Sequence, residues 1–264
     1  MSKKSRERHL AKQAARRQAE RREKRRQRST AIGIGVGLGA AVIAVLAVAL
    51  TRGGNEAASP SSSASPTPEA VACGAKVPKA AAVTKPQFGS MPPMRIDTDR
   101  TYIATLKTSC GTIVVGLDAA RAPETVNSFV FLARKGFFDG TRFHRLDTSI
   151  DVIQGGDPTG TGTGGPGYTI PNEASGAEKY TPGVVAMARG QDPNSGGSQF
   201  FIVTGPKGKT LPPDYTIFGR VIEGLDVAQR IQDLPIRDPS AGFSGQQPRR
   251  PVYIEKVTIT VSRT

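Results

Sequence analysis

The chain has 264 residues and a formal net charge of +14 at pH 7, and this length can hold one or two domains. The charge is uneven, because residues 1–30 carry 13 Lys and Arg against three Glu, whereas the other 234 residues carry 23 basic and 19 acidic side chains. The composition therefore excludes a strongly basic folded domain, and the high pI describes a tail that could bind nucleic acid or anionic lipid.

The segment after this tail, residues 31–50, has no charged residue and is rich in Ala, Val, Ile, Leu and Gly. About twenty apolar residues span the roughly 30 Å hydrocarbon core of a bilayer. A buried helix of a soluble protein would show polar residues at a period of 3.6, and this segment shows none. We therefore expect a single transmembrane helix, although Ala47-Val48-Ala49 leaves a cleavable signal peptide as the alternative.

The basic tail also predicts orientation and partners. Lys and Arg before a membrane segment favour the cytoplasmic side, so we expect a single-pass protein of the cell membrane with residues 1–30 in the cytoplasm and the remainder outside. Residues 1–50 would then bind membrane lipid, and we expect no nucleic acid partner. Gly35 and Gly39 have the small-xxx-small spacing that lets two helices approach closely, which is a hint of dimerisation.

Composition changes again after residue 50. Residues 51–70 are mostly Ser, Pro and Ala, cannot bury enough apolar surface to fold, and indicate a flexible tether. We place a linker over 51–97 and a folded domain over 98–264. Cys73 in the linker and Cys110 in the domain would both lie outside the membrane, where a disulfide is possible. The sequence leaves open whether they are paired or free.

The domain shows many short strands and two helices. The predicted elements, in chain order, are a hairpin of strands over 102–108 and 112–117, a helix from Pro123 to Lys135, short strands over 141–218, a second helix over 225–234 and a closing strand over 252–261. Pro123 and Glu124 suit the first turn of a helix, and Gly136 suits its end. This pattern is typical of a mainly β fold, a closed antiparallel barrel with two flanking helices.

Two stretches carry the most specific pattern of the chain. The first is Phe143-His144-Arg145 with Gln154-Gly155-Gly156-Asp157-Pro158, and the second is Gly197-Ser198-Gln199-Phe200-Phe201. Together they resemble the active face of the cyclophilin-type peptidyl-prolyl cis-trans isomerases, over about residues 102–261. The resemblance implies an eight-stranded barrel, here in a membrane-anchored bacterial form, that needs neither metal nor cofactor.

The residue types suit this chemistry. Rotation about an X–Pro bond faces a barrier of about 20 kcal/mol because amide resonance must be broken, although cis and trans differ by only about 1 kcal/mol. A catalyst transfers no atom, but must hold the ring in an apolar pocket and aim a donor at the prolyl nitrogen of the twisted state. Arg145, permanently charged with a planar fork of N–H groups, fits the donor role.

The resemblance also assigns roles to single residues. Arg145 would contact the prolyl amide, Gln154 would orient the arginine and contact the substrate backbone, and Gln199 completes the catalytic set. Phe201 would form the floor of the proline pocket. The residues expected to bind proline-containing polypeptides are Phe143, Ile150, Val152, Phe201, Leu211 and Tyr215.

The stretch between Arg145 and Gln154 departs from the family pattern. It is one residue longer, and Ile150 or Asp151 falls where a pocket phenylalanine is usual. An aspartate in that wall would weaken proline binding, whereas Ile150 could partly replace the ring. The expected function is isomerisation of X–Pro bonds in exported or cell-surface polypeptides to assist their folding. A catalytically weak chaperone or scaffold that binds proline segments on the membrane is the alternative.

Two further patterns have simpler interpretations. His144 could suggest a general base, but no Ser or Cys nucleophile stands in a matching motif, so we expect a packed structural histidine. Residues 160–165 formally match a dinucleotide-binding fingerprint. Because Pro166 and Gly167 follow where a helix should begin, we expect a loop that borders the substrate groove.

Overall fold

The computed structural model describes residues 70–262. The elements are β1 (Thr101–Thr108), β2 (Gly111–Leu117), α1 (Pro123–Arg134), β3 (Thr141–Phe143), β4 (Arg145–Asp147), β5 (Val152–Gly155), β6 (Val184–Met187), β7 (Phe200–Val203), β8 (Ile217–Glu223), α2 (Leu225–Gln232) and β9 (Val252–Ser262). The predicted hairpin, both helices and the closing strand are confirmed. Short 3₁₀ helices cover Ala72–Gly74, Lys79–Ala82, Pro206–Thr210 and Gly242–Gln246.

The predictions for the N-terminal region fall on residues that the structure does not describe. They are the basic tail 1–30, the transmembrane helix 31–50 with its contact at Gly35 and Gly39, and the linker up to residue 69. Within residues 70–262, no helix is both long enough and apolar enough to cross a membrane.

The strands form one antiparallel sheet that curls into a nearly closed barrel. Their order is β3-β9-β1-β2-β8-β6-β7-β5-β4, so β3 and β4 lie at opposite ends of the sheet although only His144 separates them along the chain. The two edges must therefore meet at this residue, since neighbouring Cα atoms are about 3.8 Å apart. A bridge between Arg142 and Asp157 adds a pairing across the junction.

The expected number of eight strands is wrong by one. The segment 141–147 is divided at His144 into β3 and β4, which pair with different neighbours, β9 and β5. Nine strands result in the described part of the chain, because one continuous strand could not follow both edges of a sheet that closes on itself.

Strands β6 and β7 are buried on both faces, which is typical of short, continuous apolar runs. Phe200 and Ile202 of β7 lie in the main hydrophobic core, whereas Phe201 and Val203 lie in a second cluster. The side chains of β6 alternate in the same way. Because successive side chains of a strand point to opposite faces, the same strands build the core and the floor of a surface groove.

Helix α1 closes one side of the main core. The apolar stripe predicted for it, Val126, Phe129, Val130 and Ala133, is buried. Phe129 is the centre of an aromatic group, with ring centroids 4.8, 5.7 and 5.4 Å from those of Phe138, Phe200 and Phe218. Burial of one such ring contributes about 1.5–3 kcal/mol to folding, so this contact anchors the helix on the barrel.

The described part of the expected linker, residues 70–97 and here called the N-terminal arm, packs against the barrel. The folded part of the chain therefore extends N-terminally beyond the boundary expected at residue 98. Cys73 of the arm forms a disulfide with Cys110 in the β1–β2 turn, which answers the question that the sequence left open. Beside it, Val71 and Ala72 are buried.

The remainder of the arm is held by a few apolar side chains that pack against the main core and by hydrogen bonds to backbone groups. Lys85 donates to the carbonyl oxygen of Ala80 at 2.7 Å and to that of Asp139. Gly140 lies so close to the arm that a Cβ there would overlap the backbone of Ala80. The N–H of Phe88 donates to the Pro166 carbonyl at 2.8 Å. These contacts follow no hydrophobic period, which explains why the arm resembles a linker in sequence.

Candidate active site

A groove of about 560 Å³ lies over strands β4, β5 and β7. It brings together every predicted site residue except Phe143. The members are Arg145, Ile150, Val152, Gln154, Gln199, Phe201, Leu211 and Tyr215. The predicted position of the glycine run is also confirmed, since Gly162, Gly164 and Gly165 line the same groove.

The register of the sheet aligns the separate motifs. Arg145 on β4 is directly opposite Gln154 on β5, and Gln154 is directly opposite Phe201 on β7. Side chains of such cross-strand partners lie on one face with Cβ atoms about 4.5–5.5 Å apart. A guanidinium, an amide and an aromatic ring therefore form one row across three strands, although 56 residues separate the first from the last along the chain.

Phe143 is the predicted site residue that the structure places elsewhere. Its side chain is fully buried in the main core, with its ring centroid 6.3 Å from that of Phe200. Regular alternation would put Phe143 and Arg145 on the same face. The interruption at His144 shifts the alternation by one residue, so Leu146 joins Phe143 in the core while Arg145 faces the groove.

A directed chain of hydrogen bonds connects the three predicted catalytic side chains. Arg145 Nη1 donates to Gln154 Oε1 at 3.2 Å, and Gln154 Nε2 donates to Gln199 Oε1 at 2.9 Å. Gln199 Nε2 donates in turn to the carbonyl oxygens of Gly162 and Gly164 at 3.0 and 2.9 Å. Each amide thus accepts on one side and donates on the other, which fixes its orientation.

Asp157 holds the glycine loop in place. This buried carboxylate accepts hydrogen bonds from Thr159 N (2.7 Å), Thr159 Oγ1 (2.8 Å) and Gly162 N (2.5 Å). Burial alone would raise the pKa of Asp157, but the hydrogen bonds from Thr159 and Gly162 outweigh it and the net pKa is lowered. A Cβ at residue 164 would overlap Asp157, so glycine is required there for the loop to approach the carboxylate.

The apolar part of the groove is the second hydrophobic cluster. Val152 and Phe201 form its buried floor, and Ile150, Leu211 and Tyr215 pack against it. The Tyr215 ring meets that of Phe201 edge-on, with the centroids 5.5 Å apart. This apolar cluster forms a pocket suited to a small saturated ring.

Tyr215 is held in place from both its backbone and its ring. Its N–H donates to the hydroxyl of Tyr180 at 2.8 Å, and that hydroxyl donates to the Tyr215 carbonyl at 2.9 Å. Burial raises the pKa of Tyr180 to about 12, so the hydroxyl stays protonated at neutral pH. The guanidinium of Arg189, which is paired with Asp214, lies 5.1 Å from the Tyr215 ring centroid.

The side chains of the neighbouring residues Ile150 and Asp151 lie in different surroundings. Ile150 lines the groove, whereas Asp151 accepts a hydrogen bond from the N–H of Lys207 at 2.9 Å and lies 3.3 Å from its Nζ. Asp151 adopts a left-handed backbone conformation with φ of 51°, and this turn directs the two neighbouring side chains differently. The pocket wall is therefore apolar at the position where the sequence allowed either residue.

His144 is buried at the junction of β3 and β4 and does not line the groove. Burial lowers the pKa of His144, and the nearby charge of Asp157 only partly opposes this effect. The imidazole is therefore neutral at neutral pH. Its position agrees with the packed structural histidine that we expected.

Three residues at the site were not predicted. Arg189 lines the groove beside Tyr215, and Asp147 and Gln246 both accept hydrogen bonds from Arg145. None lies in one of the two motifs. A carboxylate two residues after Arg145 on a strand could have been placed on the same face by alternation, but no local pattern indicates the contact with Gln246, 101 residues away.

The site therefore combines an apolar pocket for a ring with a fixed guanidinium at its edge and amides along its rim. Such a site can bind a ring and donate hydrogen bonds to the amide beside it. This is what a catalyst of rotation about an X–Pro bond requires.

Comparison with known proteins agrees with this chemistry. The family model for "Cyclophilin type peptidyl-prolyl cis-trans isomerase/CLD" matches residues 103–259. "Peptidyl-prolyl cis-trans isomerase-like 1" of Mus musculus is 42% identical over 144 residues, which cover 50% of this chain and 85% of that protein. "Probable peptidyl-prolyl cis-trans isomerase B" of Mycobacterium leprae (strain TN) is 40% identical over 166 residues, 56% of this chain and 53% of that protein.

A solved structure is also similar. The cyclophilin type peptidyl-prolyl cis-trans isomerase of Cryptosporidium parvum, crystallised in the presence of the dipeptide Ala-Pro, superposes with a TM-score of 0.54 and 30% identity. The match covers 61% of this chain and 99% of that one. Since the family model spans more than half of the sequence, the chain belongs to the cyclophilin-type peptidyl-prolyl cis-trans isomerases and is an enzyme of that type.

Proposed function

We propose that Arg145, Gln154 and Gln199 carry the isomerisation, and that the substrates are X–Pro bonds of exported or cell-surface polypeptides whose folding the enzyme assists. The observation that supports this assignment is the register that aligns Arg145, Gln154 and Phe201 in one row across β4, β5 and β7, with Gln199 hydrogen-bonded to Gln154. No metal or cofactor takes part in this proposal, because the reaction breaks no covalent bond.

In this mechanism the proline ring enters the pocket over Phe201, and the chain on one side of the X–Pro bond rotates. As the bond twists, the prolyl nitrogen regains its lone pair and becomes a better acceptor. Arg145, at the edge of the pocket, donates to that nitrogen, so the interaction is stronger in the twisted state than in either planar state. Gln154 holds the guanidinium and, with Gln199, contacts the substrate backbone.

The proposal for exported substrates is supported by the arm. A disulfide such as Cys73–Cys110 persists in oxidising compartments and is rare in reducing ones. Together with the uncharged segment 31–50 and the basic tail before it, this supports an extracytoplasmic domain on a membrane anchor. Proline isomerisation is slow enough to limit folding, so an isomerase near the membrane surface would act on chains as they emerge.

This location can be tested with the full-length chain in a bacterial host. We expect protease added outside the spheroplasts to digest the domain, and Cys73 and Cys110 to resist alkylation until a reductant is added. In a variant that lacks residues 31–50, the domain should stay inside the spheroplasts, where the added protease does not reach it. Its cysteines should react with the alkylating reagent without any reductant. A protected domain with reactive cysteines in the full-length chain would refute the proposal for exported substrates and leave the isomerase activity unaffected.

The adjacent residues Phe200 and Phe201 offer a matched test of the pocket. Phe201→Ala removes the floor on which the proline ring packs, and we expect about 10- to 100-fold weaker binding of a proline peptide, as the loss of roughly 1.5–3 kcal/mol of apolar contact implies. Phe200→Leu, on the opposite face, should lower the stability of the fold and leave binding unchanged. Titration of an Ala-Pro peptide, followed by NMR, measures the affinity of both variants. Equal affinities for Phe201→Ala and the natural protein would contradict the proposal that Phe201 is the floor of the proline pocket.

The alternative function, a chaperone or scaffold with weak catalysis, depended on Asp151 in the pocket wall. Asp151 contacts Lys207 and does not line the groove, so the feature that favoured this alternative is absent from the wall. Catalysis is therefore the function that the site favours.

A further inference from the structure

We propose that Asp147 and Gln246 are positioning residues that hold the guanidinium of Arg145 in its catalytic orientation, an inference that rests on the proposed role of Arg145. Arg145 Nη2 donates to Asp147 Oδ2, and Arg145 Nε donates to Gln246 Oε1 at 2.7 Å. With Gln154 as the acceptor for Nη1, each nitrogen of the guanidinium has an acceptor of its own.

Asp147 is itself held firmly. Its side chain is 4% exposed against 21% for that of Arg145, so the ion pair lies largely out of water. Its two oxygens have separate tasks, because Oδ2 accepts from Arg145 while Oδ1 accepts from the N–H and the hydroxyl of Ser149 at 2.9 and 2.6 Å. The turn between β4 and β5 thus holds the carboxylate through contacts that do not involve Arg145.

The charge of Asp147 is maintained despite its burial. Burial alone would raise the pKa of Asp147, but hydrogen bonds from Ser149 and the positive charge of Arg145 outweigh that effect and the net pKa is lowered. The carboxylate is therefore ionised at neutral pH. A charged acceptor makes a stronger hydrogen bond to a guanidinium than a neutral one does.

Gln246 comes from a different part of the chain. It ends the 3₁₀ helix Gly242–Gln246, in a segment between α2 and β9 that is folded back on itself by hydrogen bonds from Arg237 N to Gln247 O (2.8 Å) and from Asp238 N to Gly245 O (3.0 Å). This fold places the Gln246 amide beside Arg145. The sequence between α2 and β9 thereby contributes to the site without lining the pocket itself.

The three acceptors approach from β4, from β5 and from the segment before β9. Because they lie in different directions around a planar group, they restrict both its position and its rotation. Arginine has many rotamers in solution, and a donor that is ordered before the substrate binds does not lose that freedom during the reaction. A small displacement of the donor can lower the rate about 100-fold, so removal of one acceptor should slow catalysis more than it weakens binding.

The test uses full-length chains carrying Asp147→Asn or Gln246→Ala. We expect Asp147→Asn to lower kcat about 10-fold and Gln246→Ala about 3- to 10-fold, with KM for a proline peptide changed less than about twofold, because Arg145 acts mainly on the twisted state. The Nε–H signal of Arg145 in a ¹⁵N-labelled protein should shift in Gln246→Ala and exchange faster with water. Asp226→Asn removes the exposed ion pair with Arg230 on α2 and serves as the matched control, with kcat as in the natural protein.

The background variant Arg145→Ala separates positioning from a general effect on the structure. If Asp147 acts through Arg145, Asp147→Asn should cause no further loss of activity when Arg145 is absent. An equal loss in both backgrounds, or an unchanged kcat in both single variants, would overturn the inference. Should Asp147→Asn fail to fold, as a thermal melt would show, Gln246→Ala decides alone. If Arg145→Ala itself kept full activity, the proposed mechanism would fail instead.

Discussion

Replacing Arg145 with alanine is expected to lower kcat/KM for X–Pro isomerisation about 10²- to 10³-fold, the usual cost of losing one preorganised donor to the transition state. Proline peptides should still bind, because the apolar pocket formed by Val152 and Phe201 is untouched. Exchange NMR of a short Ala-Pro peptide measures both quantities in one sample, since line shapes report the rate of isomerisation and chemical shifts report binding. Full activity of the variant would exclude Arg145 as the catalytic donor.

The structure adds a complication that a motif alone does not reveal. Without Arg145 the carboxylate of Asp147 stays buried and loses its positive partner, which should destabilise the fold by about 1–3 kcal/mol. A fall in activity could then be mistaken for unfolding. The double variant Arg145→Ala/Asp147→Asn removes the unpaired charge and should regain most of the stability but none of the activity. Arg145→Lys keeps the charge and should remain slow, because an ammonium lacks the planar fork of donors.

Removal of the disulfide is expected to have the largest effect on stability. Cys73 and Cys110 are separated by 37 residues, and closing a loop of that size in the unfolded chain corresponds to about 4 kcal/mol in the chain-entropy treatment. Urea unfolding of the natural protein with and without a reductant, followed by circular dichroism, measures this difference. We expect the reduced domain to retain the barrel, because the arm is also held at Lys85 and Phe88.

A variant with both cysteines replaced by serine is the control for this experiment. It should match the reduced natural protein and should not respond to reductant. A response in the variant would assign the effect to the reductant itself, and a stability difference below about 1 kcal/mol would mean that the disulfide constrains the unfolded chain less than its loop length implies.

Most of the proposed site residues were predicted from two short motifs and the family resemblance that these motifs carry. The chemistry of Arg145 also suits its role, whereas Gln154, Gln199 and Phe201 were assigned by the resemblance, and all four line one groove. The secondary structure could also be predicted from the sequence, since Pro123 at the first position of α1 and the apolar stripe of that helix are local signals.

The predictions that the structure corrects share one cause, because each concerns a feature that depends on contacts between distant segments. Phe143 lies in the core because barrel closure interrupts the strand at His144 and reverses the facing of the residues before it. The arm 70–97 resembles a linker because its contacts are scattered hydrogen bonds, one disulfide and a few separate apolar side chains, with no periodic apolar face. At the start of helix α1, Ala122 offers no side-chain cap; the carboxylate of Glu173 accepts hydrogen bonds from the N–H groups of Glu124 and Thr125 instead, a contact between distant segments that no local pattern indicates.

The sequence by itself therefore determined the mainly β fold and, through its motifs, the family, and it predicted a guanidinium donor, two amides and an aromatic floor for the site. The tertiary structure decided which faces these groups occupy, that Ile150 and not Asp151 enters the pocket wall, and that Asp147 and Gln246 surround Arg145. The physical reason is that side-chain chemistry and strand periodicity are properties of neighbouring residues. In a barrel, the face on which a side chain lies and the residues that hold it depend on how the edges of the sheet close and on which segments meet there.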